Sequence, residues 1–395
     1  MTEPPPAAPA ISSVESLGEE AYGYVSQLVE RSPRYAGSPG EARSVAWLKE
    51  QYEKMGLAAR TQDFPITLFS QEKPRVTVLL PTERAVEGLP LSQSASAEAS
   101  GELRNVNLGR KEDIPADGLK GRIALVERGQ LTFSQKAANM AEAGVAGIII
   151  YNNAGGLFFG TLSAPSSIPA ISISREDGLM LKELLTQGKV EVRLFVKWQQ
   201  HTSQNVIGTV SGKSNKIIVV GAHFDAVIES PGARDNASGT AVVLTVARQL
   251  AKQNPGGEVR FIAFGAEEDG LVGSNYYASN LPEEEKGRII AMINLDVVGS
   301  NVVLAVEGDT GLKQDALSVA RSLNIELGDR IADAPSDHLS FLRQRVPAVI
   351  ISTPDFSLIH TPQDALSTIN RRRLGEASVL VVNLINQLFQ ENAAK

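Results

Sequence analysis

GAHFDAV at residues 221–227, PGARDNASG at 231–239 and VRFIAFGAEEDG at 259–270 carry, within one stretch of chain, a His, three Asp and two adjacent Glu, each close to an apolar run. The run Ile217, Ile218, Val219, Val220 is continuous rather than alternating, the pattern of a strand buried on both faces. His223 and Asp225 follow it two residues apart, so on an extended chain they point to the same side. Asp225 is thereby placed to hold the His223 ring through one nitrogen while the other nitrogen is left for a metal. PGARDNASG then reads as a tight Gly- and Pro-permitted loop, with Asp235 just ahead of a helix rich in Ala, Val and Leu. A carboxylate there can bridge two cations. The second apolar run, Val259 to Phe264, delivers Glu267 and Glu268. Neighbouring carboxylates point in different directions, so one can face a metal while the other faces the water to be activated.

A third run, Ile289 to Leu295, ends in Asp296, and a fourth, Pro347 to Ser352, leads to His360 in IHTPQD. Helical patterns at Ala237–Lys252, near Gly311–Leu323 and at Arg371–Gln390 alternate with these strands. Such alternation predicts a mixed or doubly wound α/β sheet with helices on both faces. In open sheets of this kind sites are built outside the carboxyl ends of the strands, which is where every candidate ligand falls.

These motifs resemble the co-catalytic di-zinc aminopeptidase family of metallopeptidases, whose pattern is His-x-Asp, a bridging Asp in a Gly-Ala-x-Asp-Asn-Ala-Ser-Gly loop, a Glu-Glu pair, an Asp after a strand and a late His-Thr-Pro-x-Asp. The resemblance covers the last half of the chain and part of its start. It implies Asp235 as the bridging ligand, His223 and Asp296 on one metal, Glu268 and His360 on the other, Glu267 as general base and Asp225 as the residue orienting His223. It implies two zinc ions per chain, with cobalt or manganese as substitutes, peptide substrates with a free N-terminus, and a cis peptide between Asp235 and Asn236. It also places the chain outside the cytoplasm. Two positions depart from the pattern: Arg234 precedes the bridging Asp, and Ile359 stands where relatives carry a Tyr that helps hold the developing oxyanion. Oxyanion stabilisation then falls to the metals or to another donor.

Composition narrows the field independently. The chain has 395 residues, 43% hydrophobic and 21% charged, so it is globular and long enough for two or three domains. A net charge of -7 without basic clusters argues against a nucleic-acid surface. No apolar run approaches the ~18 residues of a membrane span, and MTEPPPAAPA has neither the basic nor the apolar region of a secretory signal. Zero cysteines excludes disulfides and thiolate ligands but leaves the compartment open. Nothing in the sequence sets the oligomeric state.

Residues 1–12 read as a flexible tail, and residues 13–70 with 200–395 as the catalytic domain. From about Ser13 to Arg60 two amphipathic helices are separated by RSPRYAGSPG, with Gly56 as a stop and a short edge strand at Asp63–Leu68. Residues 71–199 shift to short strands and turns, and LKGRIALVERGQLTFSQKAANMAEAGVAGIIIYNN predicts strand, turn, Ala-rich helix, strand. This segment resembles the mainly-β protease-associated domain inserted in some of these peptidases, with Leu131 where its signature has Cys. The fold implied is a mixed α/β sheet sandwiched by helices, of zinc-peptidase type, carrying that insert.

Plainer readings stand beside the sharp ones. A lone His at a strand end is more often a packing residue, and Glu267 alone a solvated loop carboxylate; the ordered set is what favours a metal site. Ser336 or Asp337 reads as the cap of a short helix, leaving His338 exposed or at a pocket rim, and His201 has no chemical role. Asp364 either orients His360 or stabilises a turn. GTVSGK at 208–213 lacks phosphate-loop spacing and reads as a hairpin turn. There is no Gly-x-Ser-x-Gly elbow and no His-Glu-x-x-His helix. Rivals on the same scaffold are a carboxypeptidase or dipeptidase, kept open by the cation at Arg234, and a mono-zinc glutaminyl cyclase; from another class, a non-catalytic binding module.

Overall fold

The structure is a computed structural model that describes residues 13–70, 72, 75–158, 160–228, 230–331 and 335–393; the expected tail at 1–12 lies outside the described residues. The chain divides into two compact units, parting at Ile66/Thr67 and at Gln200/His201.

In the first unit the run Ile217–His223 is fully buried, as its continuous apolar pattern requires. Ile218, Val220 and Ala222 face a cluster with Val25, Val242, Val246 and Leu384, from the helices Val14–Val29, Gly239–Ala251 and Arg371–Ala393. Ile217 and Val219 face the opposite cluster, with Tyr277 of the helix Val272–Ser279 and Phe341 of the helix His338–Arg343. The strand's two-residue period therefore sorts one apolar run onto two helical layers.

Four parallel strands form the centre of an eight-stranded mixed sheet, in the spatial order Glu258–Phe264, Ile217–His223, Ile289–Leu295, Ala348–Ser352. Trp198–Val210 joins antiparallel beyond Glu258–Phe264, and Leu304–Gly308 joins antiparallel beyond Ala348–Ser352. Because the four are parallel, their carboxyl ends meet at one edge, with His223 in register with Phe264 and Gly221 with Asn294. GTVSGK proves to be no hairpin. The strands on either side of it are not hydrogen-bonded to each other, since Glu258–Phe264 lies between them, so the turn crosses over a neighbour.

Local chemistry sets the ends of the first two helices. Ser13 accepts from the Ser16 amide and Ser38 from the Glu41 amide, with Pro39 as the first residue of the second helix. Gly56 takes φ 79° where that helix stops, and the edge strand runs longer than expected, over Ala58–Phe69.

The second unit holds its own eight-stranded sheet, with a parallel core of Ala97–Asn105, Ile123–Glu127, Gly147–Tyr151 and Ala170–Ile173. The helix Phe133–Glu142 starts in a capping box formed by Thr132 and Gln135, confirming the expected order of strand, turn, helix, strand. Ile149 and Ile171 face one core cluster, Ile148 and Ile150 the other. Among the described residues no helix is long and apolar enough to cross a membrane.

Candidate metal centre

The carboxyl edge of the first sheet gathers His223, Asp225, Asp235, Glu267, Glu268, Asp296 and His360. His223 Nε2 lies 3.2 Å from Asp235 Oδ1, 3.3 Å from Asp296 Oδ1 and 4.0 Å from Glu267 Oε2. His360 Nε2 lies 3.1 Å from Asp235 Oδ2 and 3.0 Å from Glu268 Oε2. Asp235 thus presents one oxygen to each histidine and stands between two half-sites.

Several of these residues are held by neighbours. Asp225 is fully buried, 3.5 Å from His223 Nδ1, and its two oxygens also accept the backbone N–H groups of Glu267 (3.1 Å) and Glu268 (3.2 Å). It therefore ties the His223 strand to the Glu-Glu pair, a second task that its spacing from His223 does not announce. The Asp235 loop is bolted to the sheet by its own polar side chains. Asn236 donates to the Leu295 carbonyl and accepts from the Gly239 and Val297 amides, Ser238 donates to the Arg234 carbonyl and accepts from Val298, and Thr240 donates to the His223 carbonyl. The peptide between Asp235 and Asn236 is cis, as the resemblance implied.

The backbone turns sharply beside two of the carboxylates. Ala266, before Glu267, has φ 53°, and Val297, after Asp296, has φ 51°. The left-handed region costs a non-glycine residue about 1–3 kcal/mol and is disfavoured most for a β-branched one, so such conformations cluster where a side chain must be presented at a fixed angle.

Packing carboxylates out of water shifts their protonation. Burial pushes Glu267 well above the usual carboxylate range, helped by Asp337 and Asp296, and pushes Glu268 to about 7, helped by Asp235. Asp235 is also buried, but hydrogen bonds from His223 and His360 outweigh that and hold it below the usual range. Hydrogen bonds to Asp235 and Glu268 lift His360 to about 10, while burial opposes a rise of His223 that Glu267 and Asp296 nevertheless drive. The histidines thus hold protons against the carboxylates in positions where a cation can replace them.

The donor set fits divalent metal. His223, Asp235 and Glu268, and also His223, Glu267 and Asp296, bring ligand atoms within 4.8 Å of one another, and Glu268 Oε1 is buried with no partner among the described residues. Mixed imidazole and carboxylate donors suit zinc and its first-row neighbours. His360, whose side chain is 47% exposed, marks the side open to solvent.

Four expectations change here. Asp364 does not orient His360: its two oxygens accept the backbone N–H groups of Arg234 (2.7 Å) and Asp235 (3.1 Å), making it the anchor of the bridging loop. His338 is buried, not exposed, and burial pulls its ring down to about 4. The segment before it caps no helix through a side chain; instead Ser336 donates to Asp296 Oδ2 at 2.7 Å and accepts from Asn294 Nδ2, while Asp337 is buried with both carboxylate oxygens unpartnered among the described residues. Arg234 is buried too, its guanidinium held by Asp355 (3.0 Å), the Thr368 hydroxyl (3.1 Å) and the Thr368 carbonyl. It is not free to receive a substrate carboxylate. The contact between Ser336 and Asp296 was missed because 40 residues separate the partners, and only the adjacency of their strands and loops joins them.

Comparison with known proteins agrees with this geometry. Residues 205–385 match Peptidase family M28 and residues 89–181 match the PA domain. Aminopeptidase YwaD of Bacillus subtilis (strain 168) is 35% identical across 98% of this chain and 89% of its own length. This chain belongs to peptidase family M28. Among solved structures, BSAP, a zinc aminopeptidase from Bacillus subtilis, is 33% identical with a TM-score of 0.80 over 94% of this chain and 95% of that one. The aminopeptidase from Aneurinibacillus sp. strain AM-1 is 32% identical with a TM-score of 0.75 over 95% of each chain. This M28 peptidase is a hydrolase of the aminopeptidase class with an inserted PA domain.

Proposed function

We propose that this M28 aminopeptidase removes N-terminal residues from peptides with a free amino end at a centre of two zinc ions, outside the cytoplasm. The observation that supports it is the position of Asp235, one oxygen toward His223 and the other toward His360, with Asp296 and Glu268 completing the two halves. Zinc bound there supplies polarisation of the scissile carbonyl and acidification of the attacking water; cobalt or manganese are the expected substitutes.

The chain's own residues do the rest. Glu267, which lies 4.0 Å from His223 Nε2 beside the ligand candidates, takes the proton of the attacking water and returns it to the leaving amine. Asp225 stands 3.5 Å from His223 Nδ1, where it favours the ring orientation, and through the backbone N–H groups sets the angle between Glu267 and Glu268. Ser336 holds Asp296 by the oxygen turned away from His223. Ile359 has no hydroxyl to offer, so the developing oxyanion would be held by bound cations or by another donor of the chain. With Arg234 held by Asp355 and Thr368, the carboxypeptidase and dipeptidase readings lose the cation that kept them open.

The test is zinc content together with a panel of aminoacyl-anilides, their N-blocked counterparts and peptides with free or amidated carboxyl ends. Two zinc per chain, cleavage of free-amine substrates alone and loss of activity on chelation, restored by zinc, are expected. Cleavage that requires a free carboxylate and ignores N-blocking would overturn the proposal.

Ser336→Ala provides a local check. Residues that orient a metal ligand typically contribute 10–100-fold to affinity, so zinc should be bound about tenfold more weakly in a chelator competition, with a lower melting temperature because the buried Asn294 amide loses its acceptor. Unchanged affinity would show that Asp296 needs no such support.

A further inference from the structure

Arg34 lies in RSPRYAGSPG, between the first two helices, and is fully buried. Its Nε donates to the Phe224 carbonyl at 2.8 Å. Nη1 reaches Ser32 Oγ at 2.8 Å, the Pro231 carbonyl at 2.9 Å and the Leu28 carbonyl at 3.2 Å, and Nη2 donates to the Gly232 carbonyl at 2.9 Å. Phe224 stands between His223 and Asp225, while Pro231 and Gly232 open the loop that carries Asp235. One planar, rigid fork of donors thus spans both segments that bring the two half-sites together. Ser32 joins the same knot by donating to the Pro231 carbonyl at 2.9 Å. Gly232 completes it: at φ 63°, a Cβ there would lie 2.8 Å from Arg34 Nη2 and 2.7 Å from the Asp235 carbonyl.

The charge of Arg34 is unusual in its surroundings. Among the described residues its hydrogen-bond partners are carbonyls and a hydroxyl, none of them a carboxylate. A buried cation without an anion in contact is costly. Here the carboxylates of Asp225, Asp364, Asp235 and Glu268 act on it through space, and although burial pulls it down to about 10 it stays charged at neutral pH. A side chain kept only to fill space has no need of that cost, since an apolar one of similar length would occupy the same volume.

We propose that Arg34 is a positioning residue of the metal centre, setting the separation between the strand end that carries His223 and the loop that carries Asp235. This rests on the reading of His223 and Asp235 as zinc ligands. Catalytic and metal sites require their groups to be held within about 0.5 Å, and of the four carbonyls gripped by Arg34 those of Phe224, Pro231 and Gly232 each lie within four residues of His223 or Asp235.

The experiment compares Arg34→Met and Arg34→Lys in the full chain, at a temperature where circular dichroism shows each variant folded. Zinc affinity is read by chelator competition, and kcat and KM with an aminoacyl-anilide under saturating zinc. Arg34→Met is expected to bind zinc about 10–100-fold more weakly and to lose kcat with KM nearly unchanged. Arg34→Lys keeps the charge but replaces five forked donors by one ammonium, and should lie nearer to Arg34→Met than to wild type. Lower melting temperatures with wild-type zinc affinity and kcat would mean a role in stability alone, and full function in Arg34→Lys would mean that charge rather than the span matters; either overturns the proposal. Should Arg34→Met fail to fold, Ser32→Ala decides, a several-fold fall in zinc affinity supporting the proposal and wild-type affinity overturning it. His223→Ala runs alongside: retention of two zinc would sink the ligand reading itself, whereas its loss of zinc beside wild-type Arg34 variants sinks only the Arg34 claim.

Discussion

Glu267→Gln should leave the zinc complement and the fold intact and lower kcat by about 10²–10⁴-fold, the usual worth of a general base. The substitution keeps the side chain's size and its place after Ala266, whose left-handed backbone aims it. It removes the one property that matters, the ability to accept and return a proton. Glu267 lies farther from His223 Nε2, at 4.0 Å, than Asp235 and Asp296 do, so a metal in the His223 half retains its nearer partners when Glu267 is changed. A loss of 10²–10⁴ corresponds to about 3–5 kcal/mol of transition-state stabilisation, at 1.36 kcal/mol per factor of ten. KM should move little, because a general base at Glu267 would act on the water rather than on the substrate's binding groups. A variant that retained more than a tenth of wild-type kcat, or that lost zinc along with turnover, would remove Glu267 from the role of base.

Asp235→Asn should act in the opposite way, through the metal. Asp235 serves both halves of the centre, one oxygen 3.2 Å from His223 and the other 3.1 Å from His360. An asparagine offers one acceptor oxygen and replaces the other by an NH2 donor that no cation tolerates as a neighbour. Zinc should fall from two per chain to one or fewer, with turnover reduced at least as far as in Glu267→Gln. The loop itself should survive. Asp364 holds it through the backbone N–H groups of Arg234 and Asp235, and Asn236 and Ser238 anchor it to Leu295 and Val298; none of these bonds involves the Asp235 side chain. Two zinc ions in Asp235→Asn would end its assignment as the bridge. The pair of variants separates base from ligand, since one keeps metal without turnover and the other loses both.

His223, Glu267, Glu268 and Asp296 were legible because each sits just past an apolar run, and parallel strands bring such positions to one edge; Asp235 and His360 were legible through the loop motifs PGARDNASG and IHTPQD. The roles of Asp364, Ser336 and Arg234 were not, because each depends on a partner distant in sequence: Asp364 on a loop 129–130 residues earlier, Ser336 on a strand end 40 residues earlier, Arg234 on Asp355, 121 residues later. His338 was misjudged for the same reason. Polarity suggested a surface, but the helix it begins packs Phe341 under the sheet and buries the ring.

By itself the sequence determined the elements and their faces: a strand of Ile217–Val220 buried on both sides, polar residues delivered at its end, a capped helix after RSPRYAGSPG, and an inserted unit with its own pattern of strand and helix. Those are consequences of short-range stereochemistry and hydrophobic periodicity, which a chain carries locally. The tertiary structure alone decided which carboxylates meet the two histidines and which hold backbone, because Asp225, Asp364 and Asp296 are chemically alike and differ only in what lies opposite. It alone decided that Arg34, unremarkable in RSPRYAGSPG, is buried with its donors on the carbonyls beside His223 and Asp235. The physical reason is that burial and the direction of a hydrogen bond are properties of the neighbours a fold supplies, and those neighbours lie up to 198 residues away along the chain.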